Sequence, residues 1–294
     1  MMLDTGSKAE SDAGGRQPRG WQRALRHKSF VTGGLLSLVL VAVAALSLFW
    51  SPYPPADIDI PNKLAAPGAA HWLGTDSLGR DILSQLMVGA QNSIVVGVVA
   101  VGIGLSIGVF LGCLAAARGG WIDELVMRAS DLTFAFPALL TAIMLTAIYG
   151  PGLLMSIVAI GIFNIPVFAR ITRGSARSVW ARDFVLAARA GGKGPWRITR
   201  DHVLPNIATV LIVQATIQFA VAILAEAALS YLGLGTQPPQ PSWGRMLNEA
   251  QTLMFQAPML AVYPGLAIAL SVLGLNLMGD GLRDLLDPRL ARQR

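Results

Sequence analysis

Six apolar runs, free of charge except for Glu226 in the fifth, punctuate the chain: Phe30–Trp50, Ile94–Ala117, Leu132–Tyr149, Leu153–Ala169, Ile207–Leu229 and Met259–Gly279. A bilayer core about 30 Å thick takes roughly 20 residues of helix at about 1.5 Å rise each, so each run is read as a membrane-crossing helix. Gly150-Pro151-Gly152 is all that separates the third run from the fourth, a turn signal that predicts a tight helical hairpin. Between the first two runs, residues 51–70 are proline-rich and read as an extended loop, and Asp76–Ser93 fits an amphipathic helix lying near the membrane surface. The polar stretch 1–20 carries no apolar period and reads as a disordered tail.

Composition agrees with the pattern, because 53% hydrophobic and 14% charged residues over 294 positions are too apolar for a soluble globular chain. The net charge of +6 would suggest nucleic acid in a soluble protein, but here its placement decides. Segments 1–29, 118–131, 170–206 and 280–294 hold 20 of the 23 Lys and Arg residues, and the alternating segments hold the rest. By the positive-inside rule those four segments, and both termini, are expected in the cytoplasm, with no nucleic-acid partner. The first run is too long for a signal-peptide core, and Ser51-Pro52-Tyr53-Pro54-Pro55 is not a cleavage site, so it reads as a retained anchor. The expected layout is a tail at 1–29, a peripheral first helix at 30–50, an outer loop at 51–93, a compact core at 94–279 and a tail at 280–294.

Within the second run Ala100, Gly104, Gly108, Gly112 and Ala116 recur every fourth residue, which lines small side chains along one face and predicts close helix packing. Asp76, Arg80 and Asp81 are expected to make local ion pairs and caps, and Trp50, Trp72 and Trp243 to anchor at the interfaces. Glu226 is the one carboxylate at the edge of a span, read either as a hydrogen-bonded structural group at the outer gate or as part of a translocation path. No set of buried ionisable groups suits an ion-coupled transporter. The pair Gly192-Lys193 is followed by Gly194 and lacks the upstream glycine of a phosphate-binding loop, so the chain cannot be its own ATPase. The three histidines, His27, His71 and His202, fall in separate segments, and the single Cys113 allows no internal disulfide. A membrane-embedded enzyme would need clustered carboxylates, a serine with a base or a metal site, and a passive channel would need no docking loop.

The inner loop 170–206 is the most specific feature. Its stretch Phe184–Asn206 carries Ala187-Ala188, Gly192 and Leu204-Pro205, a small-residue helix, a glycine break and a second polar helix from Pro195 ending at Leu204-Pro205. This spacing resembles the loop by which permeases of ATP-binding-cassette importers grip their ATPases. The family's glutamate before the paired alanines is Leu186 here, with Asp183 one turn earlier. His71–Asp81 with Gly89-Ala90 and Ser93, Ala225–Gly235 with Pro241–Gly244, and Asn276–Pro288 resemble the C-type permeases of the dipeptide, oligopeptide and nickel importers. The resemblance covers nearly all of the chain from Phe30 onward. It implies an all-α polytopic protein of the type I (MetI-like) importer fold with six spanning helices, in a bacterial inner membrane. It also implies a second homologous permease, two separate ATPases, an external binding protein and surrounding lipid as partners, and no cofactor in this chain. Asp183, Ala187, Ala188, Gly192 and Pro205 are the residues it assigns to ATPase coupling. Di- or oligopeptides are the substrates expected first, with nickel, glutathione and D-amino-acid dipeptides as alternatives within the family.

Overall fold

The computed structural model describes residues 27–286. The expected tails at 1–29 and 280–294 therefore lie largely outside the described residues. Among the described residues ten α-helices follow in order: α1 Lys28–Ser47, α2 Ile82–Arg118, α3 Gly120–Ala135, α4 Ala138–Tyr149, α5 Leu153–Trp180, α6 Asp183–Ala190, α7 Pro195–Ile198, α8 Leu204–Tyr231, α9 Trp243–Ala250 and α10 Met259–Leu286. Five are long and apolar enough to cross a membrane: α1, α2, α5, the continuous rod of α7 and α8, and α10. A sixth crossing is reached if the bent pair of α3 and α4, whose axes meet at 83°, counts as one broken span.

That bend corrects the single third span. Phe136 is extended and Pro137 caps α4, because proline lacks a donor and excludes helical geometry from the residue before it. The 12 residues of α4 reach only about 18 Å. The hairpin after it forms as expected, with Gly150 at φ +89 between α4 and α5.

Two further expectations are corrected by helix length. No separate amphipathic helix covers Asp76–Ser93, since α2 runs unbroken for 37 residues from Ile82. Asp81 caps it, accepting from the Ser84 N–H and hydroxyl at 2.8 Å each, and residues 74–81 form turns. Gly79 at φ +79 stands so close to the Asp59 backbone that a Cβ would collide with it. At the other end α5 continues past Ala169 to Trp180, so the first part of the expected inner loop is helix. There Asp123 of α3 pairs with Arg173 and, at 3.3 Å, with Arg177, and Asp131 pairs with Arg170.

The core is the parallel packing of α2 on α5. Added side chains at Gly104, Gly108 and Gly112 would meet Asn164, Ile165 with Phe168, and Ala169 with Thr172. The small-residue row thus serves intramolecular packing, where near contact of backbones supplies the attraction that apolar burial cannot supply in lipid. Helix α1 is less peripheral than expected. Gly33 lies against the backbone of Gly274 and Met278, and Gly281 against Phe30, so α1 and α10 cross at glycines. Trp243 is also no interface anchor. It is 3% exposed, packs on Gly89 and donates to the Leu86 carbonyl at 3.0 Å.

Candidate coupling site

Helix α6 is short, polar at its ends and fastened from one side. Val185 is 1% exposed and joins Val179, Ile198, Val203 and Ile207 in a buried cluster, with Ala188 half-buried one turn later on the same face. The opposite face carries Phe184, Leu186, Ala187 and Ala190, all exposed. The helix closes through backbone bonds from Gly191 to Ala187 (2.9 Å), Gly192 to Arg189 (3.0 Å) and Lys193 to Ala188 (3.1 Å). Gly192 takes φ +83, which residues with a Cβ rarely adopt, and so re-aims the chain toward α7.

From Pro195 the chain does not break again before Tyr231. The expected end of the second polar helix at Leu204-Pro205 is replaced by a π turn, Thr199–Val203, that joins α7 to α8. In a regular helix the Pro205 ring would press on the carbonyl four residues back. A π turn widens the spiral at that point, and the helix passes through proline without ending. The Lys193 ammonium lies 3.1 Å from His202 Nε2 and 3.9 Å from Asp201, Phe184 sets its ring edge-on to His202, and Trp196 meets Phe110. The first three contacts tie α6 and the link after it to the base of α8, and the last ties α7 to α2.

The residues assigned from the sequence separate into three settings. Asp183, Ala187 and Gly192 are exposed on the outer side of this unit, whereas Ala188 faces partly inward and helps hold α6 in place. Pro205 is apart from them. It lines an apolar groove of about 1190 Å³ between α1, α2 and α8, together with Gly34, Gly102, Ala208 and Ala215. Sequence reasoning passed over Phe184, Leu186 and Trp196, at 42%, 52% and 66% exposure. Their signal was three large apolar side chains in a loop otherwise rich in charge.

Near the other membrane face, Glu226 is wholly buried. Its Oε1 accepts from the Ser230 hydroxyl at 2.6 Å and from Thr236 at 3.4 Å, while Ser230 accepts from the Thr236 N–H at 3.0 Å. Through Oε1, Glu226 therefore fastens the return of the chain after α8, while its Oε2 is buried without a partner among the described residues. In a separate cluster Arg80, itself buried, pairs with Asp76 at 2.6 Å and with Glu249 of α9, and Gln85 donates to Asp76 at 2.9 Å. Burial opposes the Arg80 charge, but the two carboxylates outweigh it and raise its pKa above the ordinary value.

Comparison with known proteins agrees with this architecture. The family described as "Binding-protein-dependent transport system inner membrane component" matches residues 108–292, and "N-terminal TM domain of oligopeptide transport permease C" matches residues 19–67. The "Glutathione transport system permease protein GsiD" of Pectobacterium atrosepticum is 44% identical over 271 residues, covering 92% of this chain and 90% of that protein. Its namesake in Escherichia coli O6:K15:H31 is 45% identical over 271 residues, covering 92% and 89%. A solved inward-facing structure of the MetNI methionine ABC transporter superposes with a TM-score of 0.57 at 20% identity, covering 69% of this chain and 97% of that one.

Proposed function

We propose that this chain, which belongs to the family of binding-protein-dependent transport system inner membrane components as an importer permease of the oligopeptide C type, supplies one half of the translocation pathway of an ATP-driven importer. The other half is a homologous permease. Two separate ATPases dock on the cytoplasmic side, and an external binding protein delivers the substrate. On this reading the moving core is residues 94–279, and both chain ends face the cytoplasm.

The observation that carries the coupling assignment is the two-faced α6. Val185 and Ala188 hold it to the protein, and Phe184, Leu186 and Ala187 remain exposed in a segment that the charge bias puts in the cytoplasm. A short helix so fixed can fill a partner's cleft and pass on the partner's movement, biasing the core between inward-open and outward-open states. No bond chemistry is asked of these residues.

Among substrates, the similarity to two glutathione transport permeases favours glutathione, one of the alternatives read from the sequence, over larger peptides. Glutathione is itself a small peptide, so the wider expectation of a peptide substrate includes it. The test is reconstitution: the chain, a homologous permease, the ATPases and the binding protein in liposomes should accumulate labelled glutathione with ATP inside. The chain alone should neither hydrolyse ATP nor accumulate it. ATP-dependent uptake by the lone chain, free of contaminating ATPase, would refute the half-pathway reading.

A further inference from the structure

Helix α8 has one long face that the other described residues cover only in part, with Ile217 lying beside Gly279 of α10. Val210, Gln214, Ile217, Val221, Leu224 and Ala228 follow one another by steps of four and three, which puts them in a single stripe. Val210, Val221 and Leu224 are 43%, 50% and 53% exposed, and Gln214, Ile217 and Ala228 are half-buried. The apolar groove described above lies on the other flank of the helix, at Ala208, Leu211 and Ala215.

Gln214 distinguishes this stripe from an ordinary lipid-facing surface. It stands about 15 Å along α8 from Leu204, at mid-membrane depth, where hydrocarbon offers a carboxamide nothing to bond. It is also held in place. Gln214 Nε2 donates to Gln218 Oε1 at 3.3 Å, and Gln218 Nε2 donates to Asn164 Oδ1 at 2.6 Å. Asn164 is 4% exposed and packs on Gly104 of α2, so the inner end of the row cannot swing away. The outer end is the Gln214 carbonyl oxygen, which accepts from no donor among the described residues. Three carboxamides are thus aligned to present one of them on the open stripe.

Building on the function proposed above, we infer that this stripe of α8 lines the aqueous pathway, and that Gln214 is a mid-membrane contact for an amide-bearing substrate such as a small peptide. A carboxamide offers one acceptor and one remaining N–H, the complement of a peptide bond, so it can meet a passing backbone without a charge that would trap it. A bare nickel ion would find only neutral oxygen here, a poorer ligand for it than imidazole. Asn164 and Gln218 act through Gln214 and are positioning residues.

The experiment uses the assembled importer in liposomes, with Cys113→Ala and single cysteines placed at Ile217, Val221 and Leu224 on the stripe and at Ile212 on the groove side. A charged thiol reagent attacks only thiols that water reaches. The stripe positions should react and position 212 should not. Gln214→Leu should raise the KM for glutathione uptake about tenfold, as for one hydrogen bond lost, with Gln214→Asn recovering part of it. Stripe cysteines as inert as position 212, in a complex that assembles and hydrolyses ATP, would overturn the inference in favour of lipid. Inert stripe cysteines that form disulfides with the partner permease would overturn it in favour of a packed helix. Failure of the chain to assemble with any ATPase would instead strike the proposed function, while thiol reactivity along α8 could still be read on the permease pair.

Discussion

Replacing Leu186 with alanine separates a docking helix from a plain connecting loop. Its side chain is 52% exposed. Full burial of a leucine is worth about 1.5–3 kcal/mol, so a partner covering the open half gains about 1 kcal/mol from it, or roughly fivefold in Kd. Ala187→Asp adds to the same face a charge with no partner. Burying it unpaired costs about 3–5 kcal/mol, enough to abolish docking at micromolar concentrations. Neither change touches the buried cluster around Val185, so the permease itself should insert and melt as the parent does. Binding of the purified ATPase to the permease pair in lipid nanodiscs, read by interferometry, gives the Kd values, and near-ultraviolet melting gives the stability. As a control, Arg197→Gln removes an exposed basic charge from the neighbouring helix α7. A loop that only attracts anionic lipid would lose about 1 kcal/mol of surface attraction there and nothing at Leu186. Parent-like ATPase affinity in both the Leu186 and Ala187 variants would refute the coupling assignment.

Cysteines replacing Lys63 and Lys193 in a Cys113→Ala background should be labelled by an impermeant thiol reagent in intact cells at position 63 alone; labelling at 193 alone would invert the topology. Arg80→Ala leaves Asp76 and Glu249 facing each other without their cation and should destabilise the outer region by about 3–5 kcal/mol, seen as a lower melting temperature, while Arg80→Lys recovers only part because it lacks the planar fork. Glu226→Ala strips the acceptor from Ser230 and Thr236 and should cost about 1–3 kcal/mol in the same assay, with Glu226→Gln milder since it keeps an oxygen in place. Gly33→Leu should loosen α1 from α10 and lower the yield of folded protein on size-exclusion chromatography, because its side chain would enter the Gly274 and Met278 backbone.

Apolar run length made most of the fold readable. Five runs became helices near the expected places, and the spacing of Gly104, Gly108 and Gly112 announced the contact with α5. What hydropathy could not register was backbone chemistry inside a run. Pro137 divides the third run because it is as apolar as its neighbours and yet ends a helix. Pro205 misled in the opposite direction. It suggested a helix start, and only the π turn before it, which no residue type encodes alone, lets α7 and α8 join. The coupling residues were legible as a string but not as a surface. Ala187 and Ala188 are adjacent in sequence, and the helical turn sends one outward and the other toward Val185. Trp243 reads as an interface residue by type, and only the gap left by Gly89 makes it part of the core.

The unbroken rod from Pro195 to Tyr231, 37 residues and about 55 Å long, starts at the coupling unit and ends at the loop fastened by Glu226. About two-thirds of the way along it, Phe219 lies against Gly97 and Gln218 is bonded to Asn164. On the function proposed above, a tug on the Pro195 end turns the beam about that grip, and the Tyr231 end swings the opposite way by about half the distance. Opening at one end and closing at the other are then parts of one displacement, the alternation that the proposed importer requires.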